Sequence, residues 1–397
     1  MKKKIAIITG SRAEWGLLKP LWQKLSLCHE FCVKVVATGS HLDPDGDYSI
    51  SEIEKDGAKV EARIWVDDSD RKSSKTAEKN CNEDKMFALM AKIMTELPEI
   101  LRRLKPDLVI ILGDRYEIYS VAGVCRLMGI KIAHISGGEL TYGAFDDCLR
   151  HCISKLSDLH FTASEAYRKR VIQLGEQPDK VYNCGDPGLY KLRQFEFIPK
   201  KQLEKELNID LSRPFAIFTF HPETCNPGKV TTGIKLVLKE LKNLGKNFLW
   251  VFTASNNDPE GQKINDMITA ASKSDPDNFI LIRSLGRKRY LSMAALSEFV
   301  GGNSSSGLIE IPALKIPVLN FGLRQEGRPH GKGVLDIGYS ENEIKNGFKK
   351  ILSSQFKALA KQSENPYEGE TSIDRIVEIL LQTDLNQIGR SKRFYDL

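Results

Sequence analysis

Short apolar runs alternate with segments of helical periodicity in the first half of the chain. Residues 108–112 (LVIIL) form an unbroken apolar run, and residues 4–9 (KIAIIT) are nearly as apolar. A strand with apolar residues at successive positions has both faces covered, as in a parallel sheet. Between such runs, segments 16–26 and 86–105 have apolar residues three and four positions apart, which predicts helices. This alternation predicts a doubly wound α/β domain.

A second alternation follows a segment, 183–201, in which Pro, Gly and Lys accumulate. Strands are predicted at 215–220, 248–254, 278–285, 299–303 and 316–322, and helices at 234–245, 290–297 and 372–383. We therefore predict an α/β fold of two doubly wound parallel-sheet, Rossmann-like domains that face each other across a cleft. The last residues, 391–397, are expected to be loosely held.

Length and composition agree with a soluble two-domain protein. The chain has 397 residues, of which 41% are hydrophobic and 28% charged, and this length exceeds one comfortable core. We expect no membrane association and a cytoplasmic location, because no apolar stretch reaches the length of a span and the N-terminus resembles a strand. The net charge of +6 is dispersed, which argues against nucleic acid and fits either an anionic small ligand or a slightly basic surface.

The sequence lacks the usual signals of a metal site and of a dinucleotide-dependent enzyme. The eight cysteines are scattered without a CxxC pair, so we expect free thiols and no metal site. No GxGxxG motif follows the first strand, which removes the best signal for a dinucleotide-dependent hydride-transfer enzyme.

Charged residues directly follow the apolar run 108–112. Gly113 precedes Asp114 and Arg115, and helix-like sequence begins after them. Ligands of open α/β sheets bind at the carboxyl ends of the strands, so this pair occupies a favoured position for chemistry. An ion pair in a turn, without any ligand, explains the position equally well. Arg12, after the first strand, is a weaker candidate for a phosphate contact.

Segment 134–151 (HISGGELTYGAFDDCLRH) is dense in carboxylates, with Glu139, Asp146 and Asp147. These residues are either the capping groups of a helix or an acid/base set. Asp114, on a neighbouring strand end, would face them. When several carboxylates share one crevice, their charges push their pKa values apart. Proton-transfer chemistry requires groups whose pKa values differ in this way.

The second half carries a candidate phosphate site. Residues 302–307 (GNSSSG) form a hydroxyl-rich turn before a predicted helix, which suits a diphosphate. Glu310, in that helix, would accept both ribose hydroxyls. Arg324 and Arg328 follow the next strand. His221 also follows a strand, although a lone histidine is more often structural.

Eight segments together resemble one known family: 10–21, 111–120, 133–139, 145–161, 171–176, 220–224, 302–312 and 320–328. In this order they are similar to the hydrolysing UDP-N-acetylglucosamine 2-epimerases of sialic and legionaminic acid biosynthesis. The resemblance implies GT-B architecture. It also implies an N-terminal domain (1–190) with the catalytic carboxylates, a UDP-binding domain (191–369) and a C-terminal helix (370–397) that packs back toward the first domain.

The resemblance implies the hydrolysis of UDP-GlcNAc to N-acetylmannosamine and UDP. UDP is eliminated to give a 2-acetamidoglucal, and water then adds with inversion at C2. The resemblance implies no metal or other cofactor, and a homodimer or homotetramer. The residues that match the family as catalytic groups are Asp114, Glu139, Asp146 and His221. Those that match as contacts of UDP or the sugar are Arg12, Arg115, Asn256, Ser304, Ser305, Glu310 and Arg324.

The chain departs from the family pattern at Ser136, where some relatives have a glutamate thought to be catalytic. The assignment of acid and base therefore stays open, with Glu139 a candidate for a larger share. The motifs also fit an alternative substrate, UDP-2,4-diacetamido-2,4,6-trideoxyglucose, because they concern UDP and C1/C2 only. A GT-B glycosyltransferase would share the nucleotide-binding half but needs fewer carboxylates. A non-catalytic UDP-sugar sensor would need none, and the non-hydrolysing epimerases would return a UDP-linked product.

Overall fold

The computed structural model describes residues 2–43, 48–66, 81–142, 145–223, 226, 228–245, 247–255, 260–367 and 369–397. It divides into two compact units. The first comprises Met1–Glu139, Asp146–Tyr190 and Glu368–Leu397, and the second comprises Leu140–Phe145 and Lys191–Tyr367.

The first unit is built on a seven-stranded sheet in which every neighbouring pair is parallel. Its strands are β1 (Lys3–Thr9), β2 (Phe31–Ala37), β3 (Val60–Arg63), β4 (Leu108–Leu112), β5 (Lys131–Ile135), β6 (Leu159–Thr162) and β7 (Val181–Asn183). Their order across the sheet is β3-β2-β1-β4-β5-β6-β7. Its helices are α1 (Arg12–Leu27), α2 (Ile50–Lys55), α3 (Cys81–Leu104), α4 (Tyr116–Met128), α5 (Asp146–Leu156), α6 (Glu165–Gln173) and, near the C-terminus, α14 (Ser372–Gln382).

Helices cover both faces of this sheet, which explains its apolar strands. Alternate residues of β1 point to opposite faces. Ile5 and Ile7 enter a core shared with α1 and α14, whereas Ala6 and Ile8 enter a core shared with α3 and α4. All five residues of β4 are buried. The predicted doubly wound parallel sheet is confirmed.

The second unit repeats this design with a six-stranded sheet, again with parallel pairs. Its strands are β8 (Phe215–Thr219), β9 (Leu249–Thr253), β10 (Phe279–Ile282), β11 (Phe299–Gly302), β12 (Val318–Phe321) and β13 (Val334–Ile337), in the order β10-β9-β8-β11-β12-β13. Its helices are α7 (Lys200–Leu207), α8 (Lys229–Asn243), α9 (Gly261–Ser274), α10 (Gly286–Leu296), α11 (Glu310–Ala313), α12 (Glu341–Ile351) and α13 (Ser354–Gln362). Phe218 and Ile217 enter the cores on opposite faces.

The chain returns to the first unit at its C-terminal end. Ile376 and Leu380 of α14 are buried in the core shared with α1. The amine of Lys3, at the start of β1, donates hydrogen bonds to the carbonyl oxygens of Leu380 and Thr383 at 2.8 Å. These contacts connect the C-terminal end of α14 to the amino end of β1.

The expectation of a loosely held tail is wrong. Lys392 donates to the carbonyl oxygens of Lys155 and Ser157, at the C-terminal end of α5, and pairs with Glu176 at 2.6 Å. Phe394 covers Gly175 so closely that a Cβ there would lie 2.3 Å from the ring. The backbone N–H of Tyr395 donates to the carbonyl of Gly175 at 3.0 Å. The tail is therefore held at three residues, Lys392, Phe394 and Tyr395.

In the part of the chain that the structure describes, we find no helix with the length and apolar character needed to cross a membrane.

Candidate active site

Two acidic side chains of the first unit lie around one buried arginine. Asp114 follows β4, and Glu139 follows the neighbouring strand β5. Arg150 of α5 pairs with both, through Nη2 to Asp114 and through Nη1 to Glu139 at 3.0 Å. The side chains of Arg150, Glu139 and Asp114 are 5%, 6% and 22% exposed. The structure thus brings together two carboxylates that the sequence placed at neighbouring strand ends.

Asp146, the third candidate carboxylate, is the first residue of α5 and is partly exposed. Arg150 lies four residues later, on the same side of the helix. The sequence segment 134–151 contained this arginine, but we gave it no role. Its spacing from Asp146 was the available signal.

The charge of Arg150 is secured by its partners. Burial by itself lowers the pKa of Arg150, but the carboxylates of Asp114 and Glu139 outweigh burial and raise the pKa above its ordinary value. The guanidinium group therefore stays cationic. Breaking a buried ion pair by removing one partner typically costs about 3–5 kcal/mol, so the trio is a tightly constrained element.

The loop that carries Asp114 is fixed by a buried histidine. His134 of β5 has no exposed surface, and burial lowers its pKa to about 3. Its Nε2 lies 2.8 Å from the carbonyl oxygen of Gly113, so we assign the proton to Nε2. Its Nδ1 lies 3.1 Å from the hydroxyl of Ser154 on α5 and accepts from it. A neutral histidine thus links the residue before Asp114 to the helix that carries Arg150.

Ser136, where some relatives have a glutamate, lies on a constrained backbone. Its φ is +64°, a left-handed conformation that costs energy for a residue other than glycine. Its N–H donates to the carbonyl of Phe161 at 2.9 Å, and its carbonyl accepts a long bond from Arg150 at 3.4 Å. The side chain is nearly buried and brings no charge to the carboxylate cluster.

A second pair of acids, Glu14 and Glu117, is buried in the first turns of α1 and α4. Glu14 Oε2 accepts from the N–H of Gly10 at 2.7 Å, and Glu117 Oε1 accepts from Arg115 Nε at 2.6 Å. Their other carboxylate oxygens have no hydrogen-bond partner among the described residues. Burial, and next the Glu117 carboxyl, raise the pKa of Glu14 to about 8. The sequence analysis missed both acids.

The two candidate arginines of the first unit are already paired. Arg115 bonds to buried Glu117 as described, whereas Arg12, at the start of α1, pairs with Glu52 at 3.1 Å in a partly exposed position. Both follow the carboxyl end of a strand. Each arginine is paired through its Nε, so the two Nη groups of each guanidinium are the candidates for a phosphate contact.

In the second unit, His221, Ser304, Ser305 and Arg324 follow three adjacent strands. His221 comes after β8, the serines after β11 and Arg324 after β12. Because parallel strands end at one edge of a sheet, these residues share that edge. Arg324 Nη1 donates to the carbonyl of Asn303 at 3.1 Å. This edge therefore gathers the phosphate-side candidates of the second unit.

The helix predicted after the glycine-serine turn differs from expectation. The turn forms a 3₁₀ helix (Ser305–Gly307), and α11, which starts at Glu310, has only four residues. Such a short helix has little dipole, so any anion here must rely on turn amides and hydroxyls. Glu310 pairs with Arg287 at 3.3 Å. Asn256 lies outside the described residues.

Gly302, which ends β11, fixes how closely two strands approach. Its φ is +123°, and a Cβ there would lie 1.9 Å from the carbonyl oxygen of Thr219. Only glycine fits this position, and the turn that carries the two serines starts from it. Among the described residues, no group of three or more His, Cys, Asp or Glu side chains is arranged to hold a metal ion.

The chain is similar to known proteins over most of its length. The family model of UDP-N-acetylglucosamine 2-epimerases matches residues 23–381. A GDP/UDP-N,N'-diacetylbacillosamine 2-epimerase (hydrolyzing) of Campylobacter jejuni is 37% identical over 358 residues, which are 90% of this chain and 89% of that protein. The polysialic acid biosynthesis protein P7 of Escherichia coli is 33% identical over 395 residues, covering 100% and 98% of the two chains.

A solved structure supports the fold class. The UDP-GlcNAc 2-epimerase of Neisseria meningitidis, bound to UDP-GlcNAc, superimposes with a TM-score of 0.78 at 20% identity, covering 96% of this chain and 100% of that one. The likeness confirms the predicted two-domain α/β fold of the GT-B type. From the family match over most of its length, we conclude that the chain belongs to the UDP-N-acetylglucosamine 2-epimerase family.

Proposed function

We propose that this protein is a hydrolysing 2-epimerase that converts a UDP-linked 2-acetamido sugar and water into the free C2-epimeric sugar and UDP. The observation that carries the proposal is the cluster of Asp114 and Glu139 around Arg150, with Asp146 at the start of the same helix. Family membership supplies the reaction class. The named activity of the Campylobacter jejuni relative supports hydrolysis.

The first step is an elimination across C1 and C2. The C2 proton is not acidic by itself, but it becomes removable as the C1–O bond breaks and positive charge grows at C1. A carboxylate takes the proton, the C–H electron pair forms the C1=C2 bond, and the C1–O pair leaves with UDP. Asp114, Glu139 and Asp146 are our candidates for this base.

The second step hydrates the resulting glycal. The oxygen of water bonds to C1 and gives up a proton to a basic group, while an acidic group donates a proton to C2. This proton arrives on the face opposite to the one that lost its proton in the first step, which inverts the configuration at C2. Two proton-transfer groups are needed, one on each face of the sugar. Arg150 holds Asp114 and Glu139 in fixed positions. Asp146, the first residue of α5, is our candidate for the opposite face.

UDP leaves as a stabilised anion, so hydrogen-bond donors to the diphosphate matter more than a strong general acid. For this role we propose His221, Ser304, Ser305 and Arg324 at the strand ends of the second unit. The remaining candidates for contacts with UDP or the sugar are Arg12, Arg115, Asn256 and Glu310.

Two sugars remain candidates for the substrate. The relative at 37% identity is named for N,N'-diacetylbacillosamine, the 2,4-diacetamido-2,4,6-trideoxy sugar. The relative at 33% identity is named for polysialic acid biosynthesis. For a sialic acid pathway, the resemblance seen in the sequence implies UDP-GlcNAc. The higher identity favours the diacetamido sugar and reverses the order of preference that we drew from the sequence. The two sugars differ at C4 and C6, so the contacts of the protein with these positions decide which sugar is the substrate. Both sugars therefore need to be tested.

Proton NMR in deuterated water tests the reaction. Purified protein is mixed with each UDP-sugar in turn, and the spectra are followed for UDP, the free sugar and deuterium at C2. Free C2-epimer with deuterium at C2 supports the proposal and identifies the sugar. A UDP-linked epimer indicates the non-hydrolysing reaction, and UDP release that needs an added acceptor indicates a glycosyltransferase.

The two ends of β4 supply a matched pair of variants. Asp114→Asn changes the carboxylate at the carboxyl end of the strand. Asp107→Asn changes an aspartate just before the strand, which accepts from the N–H of Lys4 at 2.7 Å. We expect Asp114→Asn to keep UDP binding and lose most turnover, while Asp107→Asn keeps both. Equal turnover in the two variants would remove Asp114 from the mechanism.

A further inference from the structure

The side chain of Asn303 bonds to both backbone groups of one neighbouring residue. Asn303 follows β11 directly and has no exposed surface. Its Oδ1 accepts from the N–H of His221 at 2.7 Å, and its Nδ2 donates to the carbonyl oxygen of His221 at 2.8 Å. The amide of Asn303 therefore fixes the backbone of His221.

The backbone of Asn303 makes three further bonds. Its N–H donates to the carbonyl of Thr219 at 3.0 Å. Its carbonyl oxygen accepts from Arg324 Nη1 at 3.1 Å and from Gln325 Nε2 at 2.9 Å. One buried residue thus joins the carboxyl ends of β8, β11 and β12, which carry the phosphate-side candidates.

Only a primary amide satisfies the side-chain part of this arrangement. The backbone of His221 presents one donor and one acceptor, and the asparagine amide presents the complementary acceptor and donor. An ionised aspartate keeps the first bond but sets an oxygen against the carbonyl of His221. An alanine leaves the backbone N–H and carbonyl of part-buried His221 without their partner.

We propose that Asn303 is a positioning residue. It holds His221 and Arg324 in the positions from which they contact the diphosphate of the UDP-sugar. This inference rests on the proposed function. Asn303 acts through the two residues that it holds and does not itself touch the substrate. Its loss should therefore weaken recognition of the phosphates more than recognition of the nucleoside.

Asn278 provides the matched control in the same unit. It is buried, and its amide bonds to Arg213 at 2.9 Å and to Asp275 at 2.9 Å. It precedes β10, so it lies at the amino ends of the strands, opposite to the edge that carries Asn303. Asn278→Ala removes a comparable buried amide, and it should lower stability without changing phosphate recognition.

The experiment compares Asn303→Ala, Asn303→Asp and Asn278→Ala with the unmodified protein. UDP binding is measured by calorimetry, uridine binding by ligand-observed NMR, and folding by thermal unfolding. We expect both Asn303 variants to lose at least tenfold in UDP affinity with little change for uridine, and Asn278→Ala to lose neither. Amide hydrogen exchange should also be faster at His221 in both Asn303 variants.

Each alternative outcome has a separate meaning. Unchanged UDP affinity in a folded Asn303→Ala protein overturns the positioning role and leaves the proposed function intact. Weaker binding in Asn303→Asp alone indicates charge repulsion and also overturns it. An equal loss for UDP and uridine indicates a general structural defect and counts against the inference. Failure of the unmodified protein to bind UDP refutes the proposed function, and the inference with it.

Discussion

Replacing Glu14 by glutamine should make the first unit more stable at high pH and leave it unchanged at low pH. Glu14 is 5% exposed, lies beside Glu117 and has one carboxylate oxygen without a hydrogen-bond partner among the described residues. Burial and the neighbouring acid raise its pKa from 4.5 to about 8. Glutamine keeps the acceptor for the N–H of Gly10 and cannot ionise.

The sign follows from proton linkage. Between pH 4.5 and 8 the folded protein retains a proton on Glu14 that the unfolded chain has released, so stability falls as pH rises through this window. At about 1.4 kcal/mol per pKa unit, the rise from 4.5 to about 8 corresponds to at most about 5 kcal/mol. Glu14→Gln removes this loss. The variant and the unmodified protein should therefore match at pH 4 and diverge by up to that amount at pH 9.

Tryptophan fluorescence during urea unfolding measures this difference. Of the four tryptophans, Trp15, Trp22 and Trp65 lie in the first unit, so the signal comes mainly from there. Glu54→Gln, an exposed glutamate of α2 paired with Arg63, is the control and should follow the unmodified protein at every pH. The reasoning is refuted if Glu14→Gln changes stability by the same amount at pH 5 and pH 9.

Three further predictions concern other constrained groups. Arg150→Gln should abolish turnover and cost about 3 kcal/mol or more in urea unfolding, because it strands two carboxylates; full activity would contradict this. Gly302→Ala should cost about 1–3 kcal/mol and weaken UDP binding in calorimetry, because its Cβ meets the Thr219 carbonyl; unchanged binding would contradict this. Lys392→Ala should lower the unfolding temperature of the first unit, because it leaves buried Glu176 with one cation fewer; an unchanged temperature would show that the tail contact adds no stability.

The sequence predicted the fold well because the fold depends on local patterns. The run 108–112 is a strand, β4, with every residue buried, and the periodic segment 372–383 corresponds to α14. Predictions failed where a structural feature depends on contacts between residues that are far apart along the chain. The tail is held through Lys392 by carbonyls more than 230 residues earlier, and no local pattern announces such a contact.

The helix expected after residues 302–307 is short for a local reason that was legible but not used. Only ten residues separate Gly307 from the start of β12, and the chain must turn within them. Lys315 makes that turn with a φ of +63°, so α11 ends after Ala313. A strand predicted so soon after the glycine-serine turn leaves no room for a longer helix.

The candidate site shows the same division between local signals and distant contacts. Strand ends marked Asp114, Glu139 and His221, because charged or polar residues directly after a buried strand are visible in one stretch of sequence. Arg150 and Asn303 were not assigned, since Asp114 lies 36 positions from Arg150 and His221 lies 82 positions from Asn303. Buried polar groups require partners, so a buried arginine or asparagine indicates a built arrangement once burial is known. Burial at these two positions is a property of the folded chain. The sequence offered only the four-residue spacing of Arg150 from Asp146, and it offered no comparable signal for Asn303.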